Sequence, residues 1–168
     1  TRSAEQPIEE EKHEPALRHP HSDTDEPAID LGKLLSGLSA LLDEYRLYQP
    51  ESGLYGGTPS MASFAPSDAQ YTYDAAQLID ALNRMQQASA NDIVQRLERP
   101  QQVASLKADL HRQLSSQCDD PQQHRLASGE TDVIDLVGML FDFILNDDGL
   151  PAPYQVALSH LHTPYLKI

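Results

Sequence analysis

From residue 31 onward leucine recurs at three- and four-residue steps: Leu31, Leu34, Leu35, Leu38, Leu41 and Leu42, with Tyr45 continuing the row. That spacing puts the set on one wide helical stripe, and a first amphipathic helix is predicted from about Asp30 until Pro50 ends it. Residues 49–66 read as a loop, punctuated by Pro50, Gly53, Gly56, Gly57, Pro59 and Pro66. Leu54, Tyr55, Met61 and Phe64 lie within it, and a long loop with apolar residues packs over a core or binds something. A second helix is predicted over Thr72–Ala88, with Ala75, Ala76, Leu78, Ile79, Leu82 and Met85 inward. Ser67 with Gln70, or Thr72 with Asp74, is the candidate cap. A short helix around Ile93–Leu97 stops at Pro100. A third main helix covers about Gln101–Gln117 with Val103, Leu106, Leu110 and Leu114 in register.

The fourth helix, about Thr131–Asn146, has a different pattern. Between Val133 and Leu145 only Asp135, Gly138 and Asp142 are not hydrophobic, and they share one narrow stripe with Thr131 and Asn146. A helix apolar around most of its circumference belongs at the centre of a bundle. Asn146-Asp147-Asp148-Gly149 closes it, and Pro151 opens a last amphipathic helix through Val156, Leu158 and Leu161. No strand-like alternation is present. The expected fold is all-α, a bundle of about five helices over 30–168, with α-solenoid-like pairing left open.

Residues 1–29 break the pattern. Eight acidic residues stand against three basic ones, Pro7, Pro15, Pro20 and Pro27 interrupt any helix, and large apolar side chains are nearly absent. Such a segment cannot offset its ordering entropy by burial, so a disordered acidic linker or tail is expected. Thr1 at one end, and an apolar Pro164–Ile168 with no stop signal at the other, predict a piece of a longer protein.

Charge narrows the function classes. The formal net charge is −14 over 168 residues, with no basic cluster, which argues against nucleic acid and against anionic membrane surfaces as partners. No apolar run is long enough to span a membrane, so no membrane insertion is expected. Cys118 is the single cysteine. A reducing, cytoplasmic setting is the default, and Asp119 and Asp120 beside the thiol disfavour a reactive thiolate.

The search for catalytic chemistry finds nothing that holds together. Asp135 and Asp142 are two helical turns apart, about 10 Å, too far to share an ion, and Asp132 in the first turn suits the helix dipole. Structural or solvated roles are expected for all three. Aligning Gly149 with the glycine of a calcium loop puts Ile144 and Gln155 where the essential carboxylates belong. His160 and His162 point to different sides of a helix, lack further ligands, and read as surface or partly packed. Phosphate-loop, dinucleotide-binding, nucleophile-elbow and Cys-x-x-Cys patterns are absent. No enzyme, cofactor or metal is expected.

One stretch carries a resemblance. Asp132–Asp147, Leu150-Pro151, Leu158-x-x-Leu161 and Pro164-Tyr165-Leu166-Lys167 resemble a family of large, helical proteobacterial proteins of unknown function. Its members are sometimes labelled thymidine phosphorylase, and some carry or associate with cyclic-di-GMP-linked PilZ-type modules. The match is specific over 132–168 and faint over 72–86. His162-Thr163 stands where Gln-Ile is usual, and Gln155 replaces a lysine. The resemblance implies a helical architecture and a regulatory setting, and no catalytic residue. The function expected first is therefore a non-enzymatic interaction or scaffold domain. It would offer an apolar groove to a protein partner or a second copy, either beside helix 131–146 (Phe141, Phe143, Leu145) or at the loop carrying Leu54, Tyr55 and Phe64. The alternative is a small-molecule, nucleotide-sensing domain, which requires convergence of Arg84, Arg96, Arg99, Arg112 and Arg125; a phosphorylase-like enzyme stands third.

Overall fold

In the computed structural model the described residues are 30–48, 57–91 and 98–167. The acidic segment 1–29, Leu54, Tyr55 and the short helix expected at Ile93–Leu97 lie outside them. Six α-helices follow in order among the described residues: α1 (Leu31–Tyr48), α2 (Ala75–Asn91), α3 (Val103–Ser115), α4 (Ser128–Leu145), α5 (Ala152–Ser159) and α6 (His162–Tyr165). Asp30 caps α1 by accepting the Gly32 and Lys33 amides on Oδ1. The cap of α2 is a reciprocal Asp74–Gln77 box (Gln77 N to Asp74 Oδ1 2.7 Å, Asp74 N to Gln77 Oε1 2.9 Å), not the Ser67 or Thr72 arrangement that the sequence suggested. The last predicted helix is broken into α5 and α6 at His160–Leu161.

Helix α4 is central. It touches α1, α3, α5, α6 and the 3₁₀ turn Met61–Phe64, while α2 packs on α3 and α6. Contacts between elements so distant in sequence make a bundle, since solenoid units touch only their neighbours. The main core joins Met61, Tyr73, Leu82, Met85, Leu106, Leu110, Leu114 and Ile134. A second cluster, Val103, Val137 and Phe141, sits where α3 meets α4. All four apolar positions predicted for α3 are buried. On α2 only Leu82 and Met85 of the predicted set are fully buried, and Ala75, Ala76 and Ile79 are exposed.

Two short strands absent from the sequence reading, β1 (Tyr71–Thr72) and β2 (His124–Arg125), pair in parallel. The Tyr73 amide extends the pairing to Arg125 O at 2.9 Å and the Gln70 amide to Gln123 O at 3.0 Å. This ladder ties the segment entering α2 to the one entering α4. Two residues per strand is too little for a period-2 pattern to show.

Candidate functional site

The polar stripe of α4 points into the protein. Asp135 is 0% exposed and Asp132 is buried beside it, while the apolar Val133, Leu140 and Phe143 face outward. Three elements converge on the Asp135 carboxylate: Lys107 Nζ from α3 at 2.8 Å, Arg46 Nη2 from α1 at 2.7 Å, and the Met61 amide at 2.8 Å together with the Ser60 hydroxyl. Arg46 also donates through Nη1 to Asp132 at 2.7 Å and through Nε to Ser60 Oγ at 3.2 Å, and the Ser39 hydroxyl donates to Asp132. Lys107, 1% exposed, completes its coordination on Pro59 O at 3.0 Å.

Gly138 makes this possible. A Cβ there would lie 2.9 Å from Lys107 Cε and 3.0 Å from Val103 Cγ1, so the lysine stem crosses α4 where a side chain is missing. Two buried carboxylates face two cations, and the exposed Asp43 adds a further contact to Arg46 Nη1 at 3.0 Å. Balanced pairing is the condition under which ions survive away from water.

Burial opposes the charge on Asp135, yet Lys107, Ser60 and Arg46 together hold its carboxyl below the usual range. Burial also lowers Lys107, against the pull of Asp135. The carboxylate with four donors is the firmly ionised member, and Nζ with two oxygen acceptors is placed as an ammonium. Arg46 loses solvation but is raised by Asp135 and Asp132. Asp142, one more turn pair along the stripe, behaves oppositely. Burial raises its carboxyl, partly offset by the Thr58 hydroxyl donating to it and by Lys107.

His162 is 2% exposed, and neither ring nitrogen has a hydrogen-bond partner. Its ring stands edge-on to Phe141, 5.1 Å between centroids. Burial, and secondarily Lys107, lowers it to about 4, so it is a neutral core residue rather than the surface or partly packed histidine expected. Asp132 and Asp135 are buried in ion pairs and hydrogen bonds rather than solvated, and Asp142 accepts from the Thr58 hydroxyl at the cleft wall.

The ion cluster therefore acts as a clasp. It fixes α1 and residues 58–61 onto α3 and α4, and the space between Lys107, Leu110 and His162 has no room for a water-sized molecule. A cleft of about 390 Å³ does open between Gly57–Thr58, Pro100–Ala104 and Asp142, Leu145 and Asn146. Its lining holds amides and one carboxyl but no cation. Arg84 pairs with Asp80 and Arg112 with Asp109 on exposed helix faces, Arg99 and Arg125 are exposed, and Arg96 lies outside the described residues. Among the described residues no group of three His, Cys, Asp or Glu side chains is placed to hold a metal ion, and no helix is long and apolar enough to cross a membrane.

The clasp has a second consequence. Helix α1 docks through Ser39, Leu42 and Arg46, a largely polar face, and its leucine row is left outside. Leu42 is 5% exposed whereas its neighbour Leu41 is 62% exposed, and Leu34, Leu35, Tyr45, Leu47 and Tyr48 are also exposed. Of the apolar stripe that the spacing predicts, Leu42 alone is fully buried among the residues whose side chains are described.

Of the expected partner-binding residues, Leu54 and Tyr55 lie outside the described residues, and the other four have different surroundings. Phe64 packs on the main core and stacks on His111, with 5.2 Å between centroids. Phe141 is buried against His162 and Tyr165, so it is not available at the surface. Phe143 is 63% exposed, and Leu145 is half-buried in the cleft wall. The residues that matter most, Lys107 and Arg46, were not singled out. Lys107 was legible only as an anomaly, a charged residue at an inward position between Val103 and Leu110. Arg46 carried no such signal.

An all-helical bundle centred on one nearly apolar helix, and held by a buried ionic clasp, is the class defined by fold and site. The chain belongs to the family described as "Protein of unknown function (DUF1631) 2nd domain", whose model matches residues 72–168, more than half of its length. Helix α1 precedes the matched region. No curated protein and no solved structure matches the chain.

Proposed function

We propose that this chain is a non-enzymatic protein-interaction module, whose binding face is the outer side of α1. The observation that carries the reading is the inverted docking of that helix. Ser39 and Arg46 are spent inside the clasp beside the buried Leu42, while Leu34, Leu35, Leu41, Tyr45, Leu47 and Tyr48 face solvent. Exposed contiguous apolar rows on a folded domain mark interaction sites, and an apolar stripe with helical spacing suits another helix. Holding the row by an ionic clasp keeps it presented without burying it. The acidic surface argues for a protein partner over nucleic acid. The regulatory, cyclic-dinucleotide-linked setting enters this reading from the family resemblance alone, and the cytoplasmic one from the single cysteine and the absence of a membrane-spanning run.

The nucleotide-sensing alternative loses ground on geometry, because the described arginines do not converge and the 390 Å³ cleft has no cationic lining for phosphates. The test is capture from source-cell lysate by the tagged chain, beside a Leu34→Glu/Leu41→Glu variant that melts at the same temperature. The reading expects specific proteins, this chain's own copies included, that are retained by the parent and lost by the variant. Equal capture by both, or none by either, refutes it.

A further inference from the structure

The exposed row of α1 has a finer order than a generic sticky face. Leu38 and Tyr45 are seven residues apart, as are Leu34 and Leu41, and Tyr48 extends the second series, so the row follows a heptad with apolar residues at both seam positions. Of these, Leu34, Leu41, Tyr45 and Tyr48 are exposed and Leu38 is half-buried. No charge stands on the seam, and Ser39, Leu42 and Arg46, which face α4, lie beside it rather than in it.

We propose that the occupant of this seam is α1 of a second copy of the chain, running antiparallel. This deepens the interaction reading above and rests on it. Three features favour a second copy over an unrelated helix. The row is self-complementary about its midpoint: turned end for end, Leu38 meets Leu41 of the second copy and Leu34 meets Tyr45 of the second copy, so every seam layer is apolar. At the flanks Gly37 of one copy lies across from Glu44 of the other, so no like charges oppose each other, and glycine lets the backbones approach. The helix has 18 residues, so it is about 27 Å long, and two such helices packed along their length bury on the order of 1,000 Å² in total, the lower edge of a specific interface. A dimer of modest affinity is the result. The −14 charge on each copy opposes it at low salt and is screened as salt rises.

Sedimentation equilibrium of the full 168-residue chain over the micromolar range tests this. The wild type is expected to fit a monomer–dimer equilibrium that tightens with salt. Leu34→Glu alone and Tyr45→Lys alone are each expected to raise the dissociation constant at least tenfold, with far-ultraviolet circular dichroism confirming both folded. Mixing the two variants restores association, because only the antiparallel register places residue 34 against residue 45. Three results overturn the proposal: a monomeric wild type, a dimer indifferent to both variants, or a mixture no tighter than its components. A monomeric chain that still captures another protein through Leu34 and Leu41 refutes the second copy and keeps the interaction module. A monomer that captures nothing refutes both.

Discussion

Replacing Lys107 by methionine keeps the stem that crosses Gly138 and removes the charge. Asp135 would then be a fully buried carboxylate that has lost its closest α3 donor at 2.8 Å and keeps Arg46, Ser60 and the Met61 amide. Breaking a buried ion pair from one side costs about 3–5 kcal/mol, and the three surviving donors put this case at the lower end, about 3 kcal/mol. Against a total stability of roughly 5–15 kcal/mol that is a large fraction. With a urea dependence near 2 kcal/mol/M, the unfolding midpoint at pH 7 should fall by about 1.5 M. Adding Asp135→Leu to the same chain removes the stranded charge and should recover at least half of the loss. The sign with pH is also fixed. Asp135 is depressed in the fold, so its contribution is present above the ordinary carboxylate range and disappears as pH falls through its folded value. The deficit of Lys107→Met should therefore shrink as the buffer approaches pH 3. Urea unfolding followed by circular dichroism decides it. A midpoint within about 0.3 M of wild type at pH 7, or a double variant no better than the single one, would refute the clasp as a stabilising unit.

Other consequences follow from the same packing. Gly138→Ala drives a Cβ against Lys107 Cε and Val103 Cγ1, so thermal unfolding should show a loss of about 1–3 kcal/mol, the cost of overpacking. His162 is lowered to about 4 in the fold and titrates near 6.5 when unfolded, so the unfolded chain takes up its proton first. Stability should therefore fall between pH 6.5 and 4, by up to about 3 kcal/mol, and His162→Leu should flatten the profile in that window. On α1, at protein dilution below any self-association, Leu42→Ala should cost about 2 kcal/mol or more in urea unfolding, whereas Leu41→Ser should stay within about 0.5 kcal/mol.

What was legible in the sequence follows from which interactions have a period. Apolar spacing located α1, α2, α3 and α4 within a few residues, and every predicted α3 position is buried, because burial on one face of a helix repeats with the helical step. The same rule failed on α1. It assumes that the apolar side of a helix is the inner one, and here the bonds of Ser39 and Arg46 to α4 leave the leucine row outward. Helix α4, in contrast, is central as its nearly all-apolar circumference implied, with Ile134, Val137 and Phe141 buried beside Asp132 and Asp135. Asp135 on an apolar helix and Lys107 in an apolar register are each anomalous alone, and the pair becomes meaningful only when α3 is laid across Gly138. Arg46 could not be placed because it acts across 86 and 89 residues of sequence, on Asp132 and Asp135. The parallel β1–β2 bridge and the Asp74–Gln77 cap involve too few residues for periodicity to register.

The account turns on which face of α1 is held by the clasp, and adjacent residues report it. In a Cys118→Ser background, single cysteines at Leu41→Cys and Leu42→Cys are compared by the rate of reaction with a neutral thiol reagent, at protein dilution below any self-association. The account predicts rapid labelling at 41 and labelling at 42 slowed to the pace of local unfolding, a difference of at least tenfold. Equal rates would mean that α1 is not docked. Faster labelling at 42 than at 41 would mean that the helix docks through its leucines, and the inverted arrangement would be wrong.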